Sequence, residues 1–176
     1  MSISFKAAVL ENVNSNLKIK DLKFPKLKTG QVLVKVLFSG VCRSQLMEIE
    51  GKRGEDKWLP HCLGHEGSGI VIDIGNRVTK VKKNDEVILT WIKGKGINAA
   101  NAKYNDKSNI INSGQVTTFS QYSVVSENRL VKKPKFIDHD EAVLYGCAIP
   151  TGFGMVINEV KPKKNMSVNS KEKVMF

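Results

Sequence analysis

The chain has 176 residues, of which 41% are hydrophobic, and its 28 basic and 17 acidic residues give a formal net charge of +11. This length suits one domain with a sizeable core, and no apolar run of about 18 residues predicts a membrane span or a membrane partner. Three cysteines without paired spacing argue against a disulfide framework, and the first residues lack the features of a signal peptide, so we expect a cytoplasmic protein.

The positive charge does not predict a nucleic-acid partner. Only four of the basic residues are arginines, and the lysines are spread along the chain with few aromatic residues between them. Nucleic-acid surfaces favour clustered arginines, or aromatic side chains that stack on bases. We attribute the charge to solubility.

Residues 4–38 are predicted to form β-strands. The segments SFKAAVLE, NLKIKDLKF and QVLVKVLF are short, partly alternating and rich in β-branched and apolar residues. Residues 43–50 are predicted to form the first helical turns, and residues 51–62 a polar loop. Strands return in GIVIDIG and DEVILTW, after which the Asn-, Gly- and Lys-rich residues 92–114 predict a long loop.

The last third of the chain predicts returning strands over residues 116–134, followed by helices. Asp138 and Glu141 have the spacing of a helix start, and a second helix is expected to stop at Pro162. Residues 94–99 fit a G-x-G-x-x-A pattern, but no amphipathic helix follows, so we predict no dinucleotide site there.

The candidate metal ligands in the sequence are Cys42, His65 and Cys147. The first two follow predicted strand ends, where side chains tend to point into a cleft. Thiolate and imidazole are preferred zinc ligands, and three ligands from separate segments leave a fourth position open, as in catalytic zinc sites. The same residue types also occur as small buried thiols and core histidines, so both interpretations remain open at this point. For His61 and Cys62 we predict ordinary packing.

Four motifs occur along the chain in the order found in one enzyme family: Gly-Val-Cys-Arg-Ser (40–44), Leu-Gly-His-Glu-Gly-Ser-Gly (63–69), Gly-Asn-x-Val-x-x-x-x-x-x-Asp-x-Val (75–87) and Gly-Cys-Ala-Ile-Pro-Thr-Gly-Phe-Gly (146–154). With these motifs the chain resembles the zinc-dependent alcohol dehydrogenases of the medium-chain dehydrogenase/reductase superfamily. The resemblance implies a mainly β fold with short helices, in which residues 1–150 form a GroES-like β-barrel catalytic domain. Residues 151–176 would form a linker helix and the opening of a Rossmann domain, whose remainder is missing.

The resemblance also implies roles for single residues. Cys42, His65 and Cys147 would hold one catalytic zinc. Ser44 would take the proton of the alcohol, because a hydroxyl can accept from the substrate while donating onward; it could instead cap the short helix. Glu66 would lie beside the metal as an alternate ligand or electrostatic partner; it could instead be a surface carboxylate.

Two further positions match cofactor contacts of the family. Arg43 matches a residue that reaches the cofactor pyrophosphate, although it could also be a solvated surface arginine, and Thr151 matches a position near the nicotinamide ring. Many members carry a structural zinc on four cysteines, but no cysteine lies between residues 62 and 147, so no structural zinc is predicted.

The chain departs from the family pattern at two places. Gln45 stands where an Asp usually orients the zinc-bound imidazole, and Met47 stands where some members have a His of the proton relay. A carboxylate raises the basicity of the ligand, whereas an amide only orients it. We expect these changes to affect turnover more than metal binding.

The implied function is oxidation of a small-molecule alcohol to an aldehyde or ketone with NAD or NADP, with zinc as the Lewis acid. Without a complete cofactor domain, the chain alone is expected to bind zinc but not to turn over, and a homo-oligomer is expected only for the intact enzyme. Alternatives are a non-enzymatic GroES-like module or vestigial fragment, and a zinc-free quinone-reductase relative. The intact ligand set argues against the last of these.

Overall fold

The computed structural model describes residues 4–106 and 109–167. Within these ranges the chain is mainly β-structure with short helices, which confirms the predicted fold class. The strands are β1 (Ser4–Leu10), β2 (Lys18–Lys23), β3 (Gln31–Ser39), β4 (His61–Cys62), β5 (Glu66–Ile74), β6 (Glu86–Thr90), β7 (Lys103–Asp106), β8 (Asn109–Asn112), β9 (Tyr122–Ser126) and β10 (Leu130–Lys132). The α-helices are α1 (Arg43–Ile49), α2 (His139–Ala142) and α3 (Ala148–Gly154).

Five strands close into a small barrel in the order β1-β2-β7-β8-β4. Successive side chains of a strand point to opposite faces, so Phe5, Ala7 and Val9 of β1 all point into the barrel. They meet Tyr104 of β7 and Ile111 of β8, and these five residues are at most 2% exposed. The interior of the barrel is therefore filled by side chains and forms one core of the molecule.

The prediction of a long loop over residues 92–114 was wrong, because this segment contains β7 and β8. Both strands have four residues, and each buries only one side chain completely, Tyr104 or Ile111. A run this short among Asn and Lys residues shows no clear alternation. The strands form because they pair with each other and with β2 and β4, a context that local sequence does not carry.

A second sheet has the strand order β10-β6-β5-β3-β9, with every neighbouring pair antiparallel. Its core consists of fully buried apolar side chains, including Val32, Val34, Val71, Val87 and Leu89. The end of β3 lies beside the start of β5, because Ser39 pairs with Gly67. The chain segments that follow β3 and precede β5 are therefore neighbours in space.

Short helices complete the described part of the chain. α2 begins after Asp138 as predicted, but the Asp138 side chain makes no capping hydrogen bond. A 3-10 turn (Val143–Gly146) leads to α3, which continues as a π-helical segment (Met155–Val160) and ends at Lys161 in a left-handed conformation, just before Pro162. The predicted opening of a Rossmann strand falls largely on residues 168–176, which lie outside the described residues.

Among the described residues, no single helix has both the length and the apolar character needed to cross a membrane. One pair of helices, His139–Gly146 and Ala148–Val160, reaches that length and composition only when its two halves are taken together, and the pair is bent by 51°.

Candidate metal centre

Three separate segments bring Cys42, His65 and Cys147 together. Cys42 lies between β3 and α1, His65 between β4 and β5, and Cys147 between the 3-10 turn and α3. Their ligand atoms, two sulfurs and one imidazole nitrogen, all lie within 4.8 Å of one another. A tetrahedral zinc ion, with bonds of about 2.3 Å to sulfur and about 2.0 Å to nitrogen, spans such separations. The donor set therefore fits zinc and leaves a fourth position for another ligand.

The glycine before His65 shapes the turn that presents the imidazole. Gly64 has a left-handed backbone with φ of +91°, and a Cβ atom at this position would lie 2.4 Å from the hydroxyl oxygen of Thr118. It would also lie 2.7 Å from the backbone nitrogen of Phe119. Only glycine fits this turn, which explains the residue type that the sequence places next to the candidate ligand.

The three side chains line a cavity of about 590 Å³. The lining includes Ser44, Gln45 and Arg53 from α1 and the following loop, together with Trp91 and Thr151. A cavity of this volume is in the range of small-molecule sites. The candidate metal position is therefore reachable by a small ligand.

Two hydroxyl groups accompany the two sulfurs. Oγ of Ser44 donates a hydrogen bond of 3.3 Å to Sγ of Cys42, and Oγ1 of Thr151 lies 3.9 Å from Sγ of Cys147. Ser44 is on the first turn of α1, and Thr151 is exposed on the first turn of α3. Both hydroxyls thus lie at the edge of the candidate metal position and inside the cavity.

Gln45 packs against the candidate histidine ligand. Its Nε2 lies 3.0 Å from Nδ1 of His65, and its Oε1 accepts the backbone N–H of Gly64. Because Nδ1 is occupied by this contact, Nε2 of His65 is the nitrogen left for a metal. The amide thus orients the ring, as the sequence predicted for this position.

Glu66 contacts the segment that carries Cys147 and is not a member of the ligand cluster found among the described residues. Its carboxylate is buried, and Oε2 accepts a hydrogen bond of 3.3 Å from the backbone N–H of Ala148. Gly40 and Gly146 pack on it so closely that a Cβ atom on either would lie within 2.8 Å of Glu66 atoms. Burial raises the pKa of Glu66, although the Ala148 N–H acts in the opposite direction.

The electrostatic environment favours a neutral imidazole. Burial lowers the pKa of His65, and the positive charge of Arg53 lowers it further. Burial also raises the pKa of the Cys147 thiol, and the proximity of Cys42 adds to this effect. A bound dication would act in the opposite direction on both thiols, since a coordinating thiol is deprotonated by the metal.

His61 and Cys62 are both buried, in agreement with the prediction of packing positions. Burial raises the pKa of the Cys62 thiol to about 12, so this thiol is unreactive.

His61 also forms a polar cluster that the sequence did not indicate. Its Nδ1 donates to the Cys62 carbonyl at 2.9 Å, its Nε2 lies 2.7 Å from Oδ2 of Asp56, and a Glu48 carboxylate oxygen lies 3.8 Å away. Glu48 is on α1 and Asp56 in the next loop, so only the fold reveals their proximity.

Arg43, predicted to contact a cofactor, and Met47, which stands where some family members have a relay histidine, both lie at the surface. Arg43 is exposed on the first turn of α1, and Met47 is 36% exposed one turn later. The position of Arg43 leaves its guanidinium accessible to a ligand that approaches α1 from outside the cavity.

Comparisons with known proteins show what the chain is similar to. Residues 28–135 match the family described as the alcohol dehydrogenase GroES-like domain. An S-(hydroxymethyl)glutathione dehydrogenase of Synechocystis sp. is 32% identical, over 93% of this chain and 51% of the relative. An enzyme of the same name from Escherichia coli is 31% identical with the same coverage. The chain thus spans about half the length of these relatives.

Solved structures show the same fold. An alcohol dehydrogenase zinc-binding domain protein of Burkholderia ambifaria superposes with a TM-score of 0.79 at 24% identity, covering 92% of this chain and 50% of that one. Benzyl alcohol dehydrogenase of Acinetobacter calcoaceticus gives a TM-score of 0.75 at 28% identity, with coverage of 90% and 49%. The chain therefore belongs to the GroES-like domain family of the alcohol dehydrogenases, in the medium-chain dehydrogenase/reductase superfamily.

Proposed function

We propose that this chain forms the metal-binding catalytic part of an oxidoreductase that converts a small-molecule alcohol to an aldehyde or ketone with NAD or NADP. The observation that carries the proposal is the convergence of Cys42, His65 and Cys147 in one cavity, with the Ser44 hydroxyl beside Cys42. In the proposed division, residues 1–150 form the catalytic domain and residues 151–176 lead toward a nicotinamide-binding domain.

The chain's own residues would hold the metal in a reactive arrangement. Cys42, His65 and Cys147 would bind one zinc ion and leave its fourth position open to the cavity. When bound, zinc would supply Lewis acidity that polarises the substrate oxygen. Two thiolates would balance the charge of the dication, so the site could accept an anionic oxygen without a large net charge.

Ser44 would accept the proton of the alcohol and pass a proton onward. Its hydroxyl lies 3.3 Å from Sγ of Cys42 and lines the cavity, so a substrate oxygen at the open position would be within hydrogen-bond reach. The hydroxyl would accept the proton of the alcohol at Oγ and donate its own proton to water in the cavity. Met47 cannot take part in this transfer, because a thioether carries no exchangeable proton.

Two exposed residues would contact the nicotinamide cofactor. Arg43, on the first turn of α1, would bind the pyrophosphate through its guanidinium, which pairs with phosphate oxygens in a bidentate manner. Thr151, on the first turn of α3 and 3.9 Å from the Cys147 sulfur, would lie near the nicotinamide ring.

Elemental analysis of the purified chain tests the metal site. We expect about one zinc per chain, lost in Cys42→Ala, His65→Ala and Cys147→Ala. Cys62→Ala is the matched control, because it removes a buried thiol that lies outside the cluster, and it should keep its zinc. Zinc absent from the wild type, or retained in the three ligand variants, would contradict the proposal.

Cobalt substitution tests whether the site is open, which separates a catalytic centre from a purely structural module. We expect the visible absorption bands of the Co²⁺-loaded chain to shift when trifluoroethanol is added, because the alcohol oxygen enters the fourth position. A spectrum that does not respond to the alcohol, with the metal bound by the three predicted ligands, would favour a closed site without alcohol chemistry.

A further inference from the structure

The buried carboxamide of Gln45 contacts three polar groups at once. Its Oε1 accepts the backbone N–H of Gly64, while its Nε2 lies 3.0 Å from Nδ1 of His65 and 3.4 Å from Oε2 of Glu48. Gln45 is only 6% exposed, so water has little access to replace these partners.

These partners determine which ring nitrogen of His65 carries the proton. A backbone N–H can only donate, so the Gly64 contact holds Oε1 in place and turns the two N–H groups of Nε2 toward His65 and Glu48. Nδ1 of His65 must then accept a hydrogen bond, and the neutral ring carries its proton on Nε2. That is the nitrogen which a metal bound by Cys42 and Cys147 would need.

A metal on Nε2 requires the opposite arrangement of hydrogen-bond donors. The neutral ring then carries its proton on Nδ1, and this N–H faces an N–H of Gln45. Turning the amide by half a turn pairs Oε1 with His65, but it places Nε2 against the Gly64 N–H and Oε1 against the Glu48 carboxylate. Either orientation leaves a mismatched pair of polar groups in a buried position, and such a pair opposes metal binding.

We infer that Gln45 is a positioning residue that favours the metal-free form of the site, so that this centre binds zinc more weakly than its three donors alone would allow. The inference rests on the proposed metal-dependent function. Its cause is the amide group itself and not the position of the side chain, because a carboxylate in the same place would accept from both Gly64 and His65.

Exchanging the two side chains tests the inference at constant charge. In the double variant Gln45→Glu with Glu48→Gln, the carboxylate accepts from Gly64 and His65, and the new amide donates to it. We expect chelator competition to show zinc bound about tenfold or more tightly than in the wild type, the size of effect typical for a partner of a ligating histidine. Glu48→Gln alone is the control, since it keeps the mismatch and should leave zinc affinity within a few-fold of the wild type.

NMR of the metal-free chain supplies a readout independent of metal. Ring nitrogen shifts of His65 should show the proton on Nε2 in the wild type and on Nδ1 in the double variant. Equal zinc affinity in these two proteins, or a proton on Nδ1 in the metal-free wild type, would overturn the inference alone. Zinc bound by neither protein would overturn the proposed metal-dependent function as well.

Discussion

The Glu66 carboxylate accepts a hydrogen bond from the backbone N–H of Ala148, the residue directly after Cys147. A residue next to one candidate ligand thus fixes the segment that carries another. Because Glu66 is 4% exposed and packed against Gly40 and Gly146, this contact is part of the structure of the site and not a surface pair.

The first prediction separates this contact from the charge of Glu66. Glu66→Gln keeps an oxygen that can accept the Ala148 N–H, so zinc affinity should stay within a few-fold of the wild type. Glu66→Ala leaves that N–H unpaired and opens a cavity, and it should lower the free energy of unfolding by about 1–3 kcal/mol. It should also weaken zinc binding about tenfold, because Cys147 loses its support. Urea denaturation and chelator competition measure the two effects, and equal behaviour of the two variants would contradict this role.

The second prediction concerns the turn before His65. Gly64→Ala should cost more stability than Gly54→Ala, although both glycines have φ of +91°. A Cβ atom at Gly64 meets Thr118 and Phe119, whereas nothing lies within 4 Å of a Cβ atom at Gly54. Gly54→Ala should therefore show only the backbone strain of about 1–2 kcal/mol. Gly64→Ala should exceed this and also reduce zinc content, and urea denaturation with metal analysis compares the pair. Similar losses of stability in both variants would show that the close contacts at Gly64 do not matter.

The third prediction is a dependence of stability on pH from Glu127. This carboxylate is 1% exposed and accepts the backbone N–H groups of Ile97, Thr79 and Lys80 at 2.8–3.0 Å. Burial alone would raise its pKa, but the three N–H donors outweigh burial, and the pKa is lowered. The stabilisation is therefore complete above the unfolded pKa of about 4.3 and is lost as pH falls through the lower folded value.

Glu127→Gln should lower the free energy of unfolding by about 1–3 kcal/mol at neutral pH, because an amide can supply one acceptor oxygen in place of two. The difference from the wild type should shrink in acid, where the wild-type carboxylate also becomes protonated. Urea denaturation across this pH range measures both, with the exposed Glu55→Gln as control. A difference that does not change with pH would exclude the carboxylate as its source.

The fourth prediction tests the barrel strand that the sequence did not reveal. The hydroxyl of Tyr104 accepts the backbone N–H of Val124 at 2.9 Å, and Tyr104 is 1% exposed. Tyr104→Phe should leave this N–H unpaired and lower stability by about 1–3 kcal/mol in urea denaturation. Tyr145→Phe, at a tyrosine that is 45% exposed, is the control and should have little effect. A Tyr104→Phe variant as stable as this control would show that the Tyr104 hydroxyl does not stabilise the barrel core.

Features that depend on local periodicity or on residue type could be predicted from the sequence. The alternation in β1 and β3, the helix after Cys42 and the helix end before Pro162 were all predicted and are present in the structure. The candidate ligands could be named because cysteine and histidine are rare in this chain and few other residue types bind zinc. The structure brings the three named residues together.

The remaining features depend on contacts between distant segments. β7 and β8 bury only Tyr104 and Ile111 completely, and they exist because neighbouring strands pair with them. The hydrogen bonds of Gln45 could not be predicted either, since they depend on the backbone of Gly64 lying against α1. The sequence shows that residue 45 carries an amide, but only the fold shows which groups the amide oxygen and nitrogen face.

The pairing of Ser39 with Gly67 gives the three candidate ligands unequal degrees of preorganisation. Cys42 lies shortly after β3 and His65 directly before β5, and the backbone hydrogen bonds between these adjacent strands fix the separation of the two residues. Cys147 belongs to a helical segment outside that sheet and depends on contacts such as the one from Glu66 to Ala148. The position of Cys147 is therefore less directly fixed by strand pairing than the positions of Cys42 and His65. Loss of metal should begin at the Cys147 sulfur for the same reason.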